Sequence, residues 1–280
     1  MTILAAVVLA LAAGVTEIFP VSGTGHLFIL AKLLGVPVSG GEFQSFRAML
    51  YFGVAFAGIL FYRTQFYDML RENLVLLGLA RPLRHQRREP FGRRLGQLML
   101  VALLPMLPAL LFNGLRVKLE QGTHALALIS VLLCLSGVVL FFAARSARGR
   151  RTIYQATLPD ALSTGLAQVL TICPGLSRSG FTAAILLARG FDGSAAAEFT
   201  GLLGIPVFLA AGIVQLIAAN KAGSFAAAPY LILGFALSAL TGFFALRLFT
   251  DWMGRRRPAA FAYWSWGAGI LALILFLISA

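Results

Sequence analysis

Charge is scarce in this sequence. Only 12% of its 280 residues are Asp, Glu, Lys or Arg, with 10 acidic residues set against 23 basic ones. A water-soluble domain of this length carries about twice that share of charge, so a soluble class is excluded. Cysteine is nearly absent, at two residues, which excludes a disulfide framework. Cys134 lies in an apolar run and Cys173 beside a polar motif, and both read as small apolar fillers. The N-terminal stretch, Met1 to Ala13, is apolar but has no basic n-region, so it is read as part of the mature chain rather than as a signal peptide.

Apolar residues are abundant. They make up 59% of the chain, with a mean hydropathy of +0.88. A bilayer crossing needs about 20 mostly apolar residues. Runs near that length recur at 46–63, 96–113, 124–144, 199–219, 227–249 and 261–279. The fold class expected is therefore all-α: a single polytopic membrane domain over 1–280 with about six transmembrane helices.

Two further apolar regions, 1–36 and 158–191, are interrupted by Pro, Gly and Ser. Each reads as a re-entrant helical hairpin. The net charge is +13, and the basic residues gather at Arg81 to Arg94, Arg145 to Arg151 and Arg255 to Arg257. These clusters flank apolar spans, so topology explains them better than nucleic-acid binding, and no nucleic-acid partner is expected. Counting crossings puts all three clusters on one side, cytoplasmic by the positive-inside rule, with the C-terminus outside. The first hairpin then enters from outside and the second from inside. That predicts an inverted repeat with halves of approximately 1–144 and 145–280. Ala13 to Pro20 can be laid on Ala167 to Pro174, with Ala, Val, Ile and Pro coinciding. Inverted repeats with broken helices put their site near the midplane, at the repeat interface.

Ionisable residues inside such segments are functional candidates by default. Glu17 precedes the first break and suits a metal ligand or acid/base group, or an ion-pair partner of an arginine. His26 ends the first tip and can serve as nucleophile, general base, ligand or a polar cap. Arg178 lies in the second tip, and its guanidinium suits phosphate or carboxylate oxygens. Ser22, Thr24, Ser177, Ser179 and Thr182 supply hydroxyls, while Gly25, Gly175 and Gly180 allow close backbone approach. Each tip leads into a helix N-terminus, where free N–H groups attract anions. The set suits a phosphoryl group, and Glu17 can hold a divalent cation, Mg or Ca, bridging two phosphates. A site open to the bilayer suits a lipid phosphate.

At these tips the sequence resembles the undecaprenyl-diphosphate phosphatase family, associated with bacitracin resistance. The stretches that carry the resemblance are Gly14 to His26, Pro174 to Gly180 and Ala195 to Pro206. The resemblance implies hydrolysis of a polyprenyl diphosphate lipid, recycling the carrier for peptidoglycan synthesis in the bacterial inner membrane. It also implies a divalent cation. Glu17, Ser22, Thr24, His26, Ser177, Arg178, Ser179 and Thr182 are the positions it carries over. The chain departs from the family at Ala13, where Glu or Gln is usual, at Gly23, where a Ser is usual, and at Tyr51, where a Gln is usual. A paralogue that binds or translocates lipid phosphate without cleaving it is the alternative. Homodimerisation is left open.

Overall fold

A computed structural model describes residues 1–81, 91–109, 113–145, 147–255 and 257–279. Among the described residues there is no strand, and thirteen α-helices account for the architecture. In chain order they are α1 Ile3–Ile18, α2 Gly23–Leu33, α3 Gly41–Phe61, α4 Arg63–Leu76, α5 Phe91–Leu103, α6 Met106–Ala109 and α7 Asn113–Gln121. Then come α8 Ala125–Arg145, α9 Leu158–Val169, α10 Arg178–Ala188, α11 Gly193–Ala222, α12 Ala228–Gly254 and α13 Ala259–Ser279. Five of these, α3, α8, α11, α12 and α13, are long and apolar enough to cross a membrane. The chain is a multi-pass α-helical membrane protein.

The expected continuous span at 96–113 is broken. α5 stops at Leu103, and α6 begins at Met106. Pro105 is the physical reason. It has no N–H to donate and it disfavours helical backbone at the residue before it. Residues 110–112 of that expected span lie outside the described residues. So do 82–90, 146 and 256 of the basic clusters.

Other boundaries follow local chemistry. α11 begins six residues earlier than the hydropathy run because Asp192 caps it, its Oδ1 accepting from the Ala195 N–H at 2.7 Å. α11 also runs straight through Pro206. Two helices have no counterpart among the spans read from the sequence. α4 follows α3 after Tyr62, and its buried Glu72 accepts from the Arg93 N–H at 2.6 Å, so it caps α5. The other is α7.

α3 is the central helix, packed along both α11 and α12. α1 lies on α12, α13 on α8, and α9 and α10 on α5 and α8 respectively. Apolar packing gives helices in lipid little selectivity, so small residues and polar side chains fix the contacts. A Cβ at Gly53 of α3 would overlap Ser238 of α12. The Ser238 hydroxyl instead donates to the Leu50 carbonyl at 3.1 Å. Between α8 and α13, Ser130 donates to the Gly269 carbonyl at 2.7 Å, and the Trp266 indole N–H donates to the Cys134 carbonyl at 3.1 Å.

The ends of the second hairpin are tied at Asp160, in the first turn of α9. Its fully buried carboxylate accepts from Arg151 Nη2 at 2.6 Å, from Arg189 Nε, and from the Thr157 N–H and hydroxyl at 2.9 and 2.7 Å. Burial alone would raise its pKa, but these hydrogen bonds outweigh that and hold the carboxyl well below the usual carboxylate range. The stabilisation from a depressed pKa is complete above the unfolded value, near 4, and is lost as pH falls through the folded one. Asp160→Asn should therefore cost about 3 kcal/mol at neutral pH. The gap to the parent should shrink as the pH is taken below about 4. Thermal unfolding of both proteins in detergent across that range checks this.

Candidate functional site

Each break is built from local chemistry. α1 ends at Ile18 because Phe19 precedes Pro20 and takes extended backbone, φ −62° and ψ 146°. Ser22 then sits at φ 69°, the single non-glycine residue with positive φ among those described. Its hydroxyl caps α2 by accepting from the Gly25 N–H at 3.3 Å. In the second hairpin α9 passes into one 3₁₀ turn, Leu170–Ile172. Gly175 then turns the chain at φ 106°, and Ser177 caps α10 by accepting from the Gly180 N–H at 3.1 Å. The caps match as Ser22 with Ser177. From proline to cap the first tip takes two residues and the second three, so the residue-by-residue match slips by one there.

The tips meet. The Ser179 hydroxyl donates to the Phe19 carbonyl at 2.9 Å. A Cβ on Gly25 would stand 3.3 Å from Gly175 Cα, so backbone faces backbone. Ser136 of α8 clamps the second tip, donating to the Gly175 carbonyl at 3.2 Å and accepting from the Ser177 N–H at 3.0 Å.

Beside this contact lies a cavity of about 250 Å³. Its polar lining includes Glu17, Ser22, Thr24, Ser177, Arg178 and Ser179. Its apolar lining includes Leu103, Met106, Leu107, Ile172, Val207 and Ala211. Arg178 lies with its guanidinium carbon 4.3 Å from the Phe208 ring centroid, and its Nη1 is buried without a hydrogen-bond partner. Glu17 is buried too, and its Oε1 also lacks a partner. No ion pair joins the two among the described residues. A guanidinium and a carboxylate left unsatisfied in one cavity form a site that a phosphate and a cation would complete.

Six residues named from the sequence thus share the cavity wall: Glu17, Ser22, Thr24, Ser177, Arg178 and Ser179. Gly25 and Gly180 serve the packing of the tips instead. The Thr182 hydroxyl turns back to the Arg178 carbonyl at 3.0 Å. His26 is off the cavity wall. Its Nδ1 stands 2.8 Å from the Ser22 carbonyl, and its Nε2 accepts from the Trp264 indole N–H at 2.9 Å. A carbonyl only accepts, so Nδ1 carries the proton and the Nε2 lone pair is engaged by α13.

Tyr51, Thr171, Phe208 and Gln215 line the cavity but were not singled out as site residues. Tyr51 accepts from Arg47 Nε at 3.1 Å, while Arg47 Nη1 and Nη2 donate to Glu120 at 3.0 and 3.1 Å. This buried pair fixes α3 to α7 behind the cavity wall. An arginine within an apolar stretch was the signal for it.

Glu17 is the one carboxylate on the wall, and no group of three or more His, Cys, Asp or Glu lies together among the described residues. A hard cation held by one carboxylate plus hydroxyl and substrate oxygens suits this donor set, as Mg²⁺ prefers. The orphaned Oε1 of Glu17 fits such a group.

The family model "Bacitracin resistance protein BacA" matches residues 6–271. The chain belongs to this family. Relatives named undecaprenyl-diphosphatase include one from Anaeromyxobacter sp. strain Fw109-5, 33% identical over 279 residues, covering 98% of this chain and 88% of the relative. Another, from Anaeromyxobacter sp. strain K, is 34% identical over 281 residues, covering 98% and 92%. A third, from Alkaliphilus metalliredigens, is 30% identical over 281 residues, covering 99% and 100%.

At Gly23 the structure gives a reason for a family departure. A Cβ there would overlap the Glu17 carboxyl, which packs against the first residue of α2. Gly23→Ala should therefore cost about 1–3 kcal/mol through overpacking. Much of that cost should disappear when Glu17→Ala is added, a coupling of about 1 kcal/mol or more. A double-mutant cycle on detergent-solubilised protein measures it. Additive costs would mean that the two residues do not share this space.

Proposed function

We propose that this protein is a membrane phosphatase that removes the terminal phosphate of undecaprenyl diphosphate. The products are undecaprenyl phosphate, returned to cell-wall synthesis, and inorganic phosphate. The observation that carries the reading is one cavity that combines an unpartnered Arg178 with apolar walls. A diphosphate fits the first and the start of an isoprenoid chain the second.

Arg178 holds the phosphoryl oxygens and opposes the charge that builds as the anhydride bond breaks. Phe208 beneath the guanidinium keeps its plane facing the cavity. Ser22 and Ser177 hold the two helix starts, so that their free N–H groups converge on the same anion. Glu17 and the neighbouring hydroxyls would hold a divalent cation, which would supply neutralisation of phosphate charge. Glu17 also accepts or returns a proton at its carboxylate. The apolar walls exclude bulk water, which strengthens each of these interactions. His26 holds α2 against Trp264 and so steadies the first tip.

This reading places the protein in the bacterial inner membrane, with its basic loops cytoplasmic and its C-terminus outside. Halves 1–144 and 145–280 each contribute one tip. Purified protein supplied with undecaprenyl diphosphate and Mg²⁺ or Ca²⁺ should release phosphate, and EDTA should abolish the release. Arg178→Met should lower kcat/KM by about 10²–10³-fold. Its thermal stability should stay near that of the parent, because Nη1 has no protein partner to lose. Reconstituted protein that binds or moves the lipid without releasing phosphate would replace the phosphatase by a carrier.

A further inference from the structure

The site has several hydroxyls, and almost all are already committed. Ser22 and Ser177 accept from the backbone N–H groups that they cap. Ser179 spends its proton on the Phe19 carbonyl across the tip contact. Thr182 spends its own on the Arg178 carbonyl. Position 23 has no hydroxyl, and the space that a side chain there would fill holds the Glu17 carboxyl. The other nucleophile read from the sequence, His26, has both ring nitrogens bonded and does not line the cavity.

Thr24 is different. It lines the cavity and is only half-buried, while its neighbours Ser22 and Gly23 are buried. Among the described residues the one hydrogen-bond neighbour of its hydroxyl is Ser22 Oγ at 3.5 Å, the long limit of such a bond. As the second residue of α2 it stands where the first N–H groups have no intrahelical acceptor. Two buried, unsatisfied groups share its cavity: Nη1 of Arg178 and Oε1 of Glu17. The Glu17 carboxyl packs on Gly23, the residue adjoining Thr24.

We propose that Thr24 is the catalytic nucleophile of this chain. The proposal rests on the phosphatase reading. In the first step Thr24 Oγ1 bonds to the terminal phosphorus and the bond from that phosphorus to the bridging oxygen breaks. The Thr24 proton passes to the bridging oxygen, and the lipid monophosphate leaves with both. In the second step water bonds to the phosphorus, the bond from phosphorus to Thr24 Oγ1 breaks, and a water proton restores the threonine hydroxyl. Inorganic phosphate is released, with no redox change and no co-reactant besides water. Two displacements in line give net retention at phosphorus, whereas direct attack by water gives inversion.

The test combines a variant series with that stereochemical signature. Thr24→Val keeps the side-chain shape without the hydroxyl, and Thr24→Ser keeps the hydroxyl. Thr24→Val should lose about a thousandfold or more in kcat. It should still bind a methylene-bridged diphosphonate analogue of the substrate within a few-fold of the parent, which shows an intact fold and pocket. Thr24→Ser should retain substantial turnover. A substrate made chiral at the terminal phosphorus by sulfur and isotopic labelling should give product with retention. Inversion, or full turnover by Thr24→Val, would overturn the proposal and leave the phosphatase reading standing. A parent protein that releases no phosphate would overturn both.

Discussion

Everything at the centre of this molecule depends on keeping non-helical backbone inside an apolar slab. Backbone outside a helix at membrane depth has to be satisfied by protein or by a wet cavity. The two tips solve this by meeting each other. The Ser179 hydroxyl answers the Phe19 carbonyl across the contact. Ser136 answers both a carbonyl and an N–H of the second tip, and Ser22 and Ser177 close their own helices. These bonds leave the helix starts fixed beside each other, each with first-turn N–H groups that have no intrahelical acceptor. Such donors suit an anion.

The remaining helices support this arrangement. α3 lies against both α11 and α12. From α3 comes Tyr51 and from α11 come Pro206, Phe208 and Gln215 on the cavity wall. Pro206 removes one hydrogen bond from α11 at the level of the cavity. Leu103 and Met106, on either side of the break at Pro105, add apolar lining to the cavity. The Arg47–Glu120 pair ties α7 back to α3. Two charges are thereby buried at the cost of their hydration, which is offset by a two-pronged bond and by the Tyr51 hydroxyl. At the other end of the second hairpin, Asp160 gathers two arginines and so sets where α9 and α10 begin and end.

The chemistry that results differs from one built on a free histidine. His26 belongs to the joint between α2 and α13, and Trp264 takes the lone pair that a base or nucleophile would need. Glu17, resting on Gly23, is the only carboxylate on the cavity wall among the described residues. The small residue at 23 and the position of the carboxylate are one feature, since a side chain at 23 would displace the carboxyl from where it lies. Thr24 is left as the hydroxyl that faces the cavity with least prior commitment.

The sequence by itself determined the solvent, the class and the places where helices break. Those are local properties: apolar run length, prolines at 20 and 174, and a serine placed three residues before a glycine at each cap. It also contained the sign of a break within 96–113, in Pro105, although hydropathy averaged over the window conceals it. Only the tertiary structure decided which polar residues share a cavity. Glu17 and Arg178 are 161 positions apart, and their approach depends on how two hairpins dock. The turning of His26 to Trp264, 238 residues away, follows from the seat of α13 beside α2. The same holds for Tyr51 and Gln215, which read as ordinary members of long helices until packing places them on the cavity wall. Propensity and patterning act over a few residues, whereas a site in lipid is made by contacts between segments whose order along the chain carries no distance.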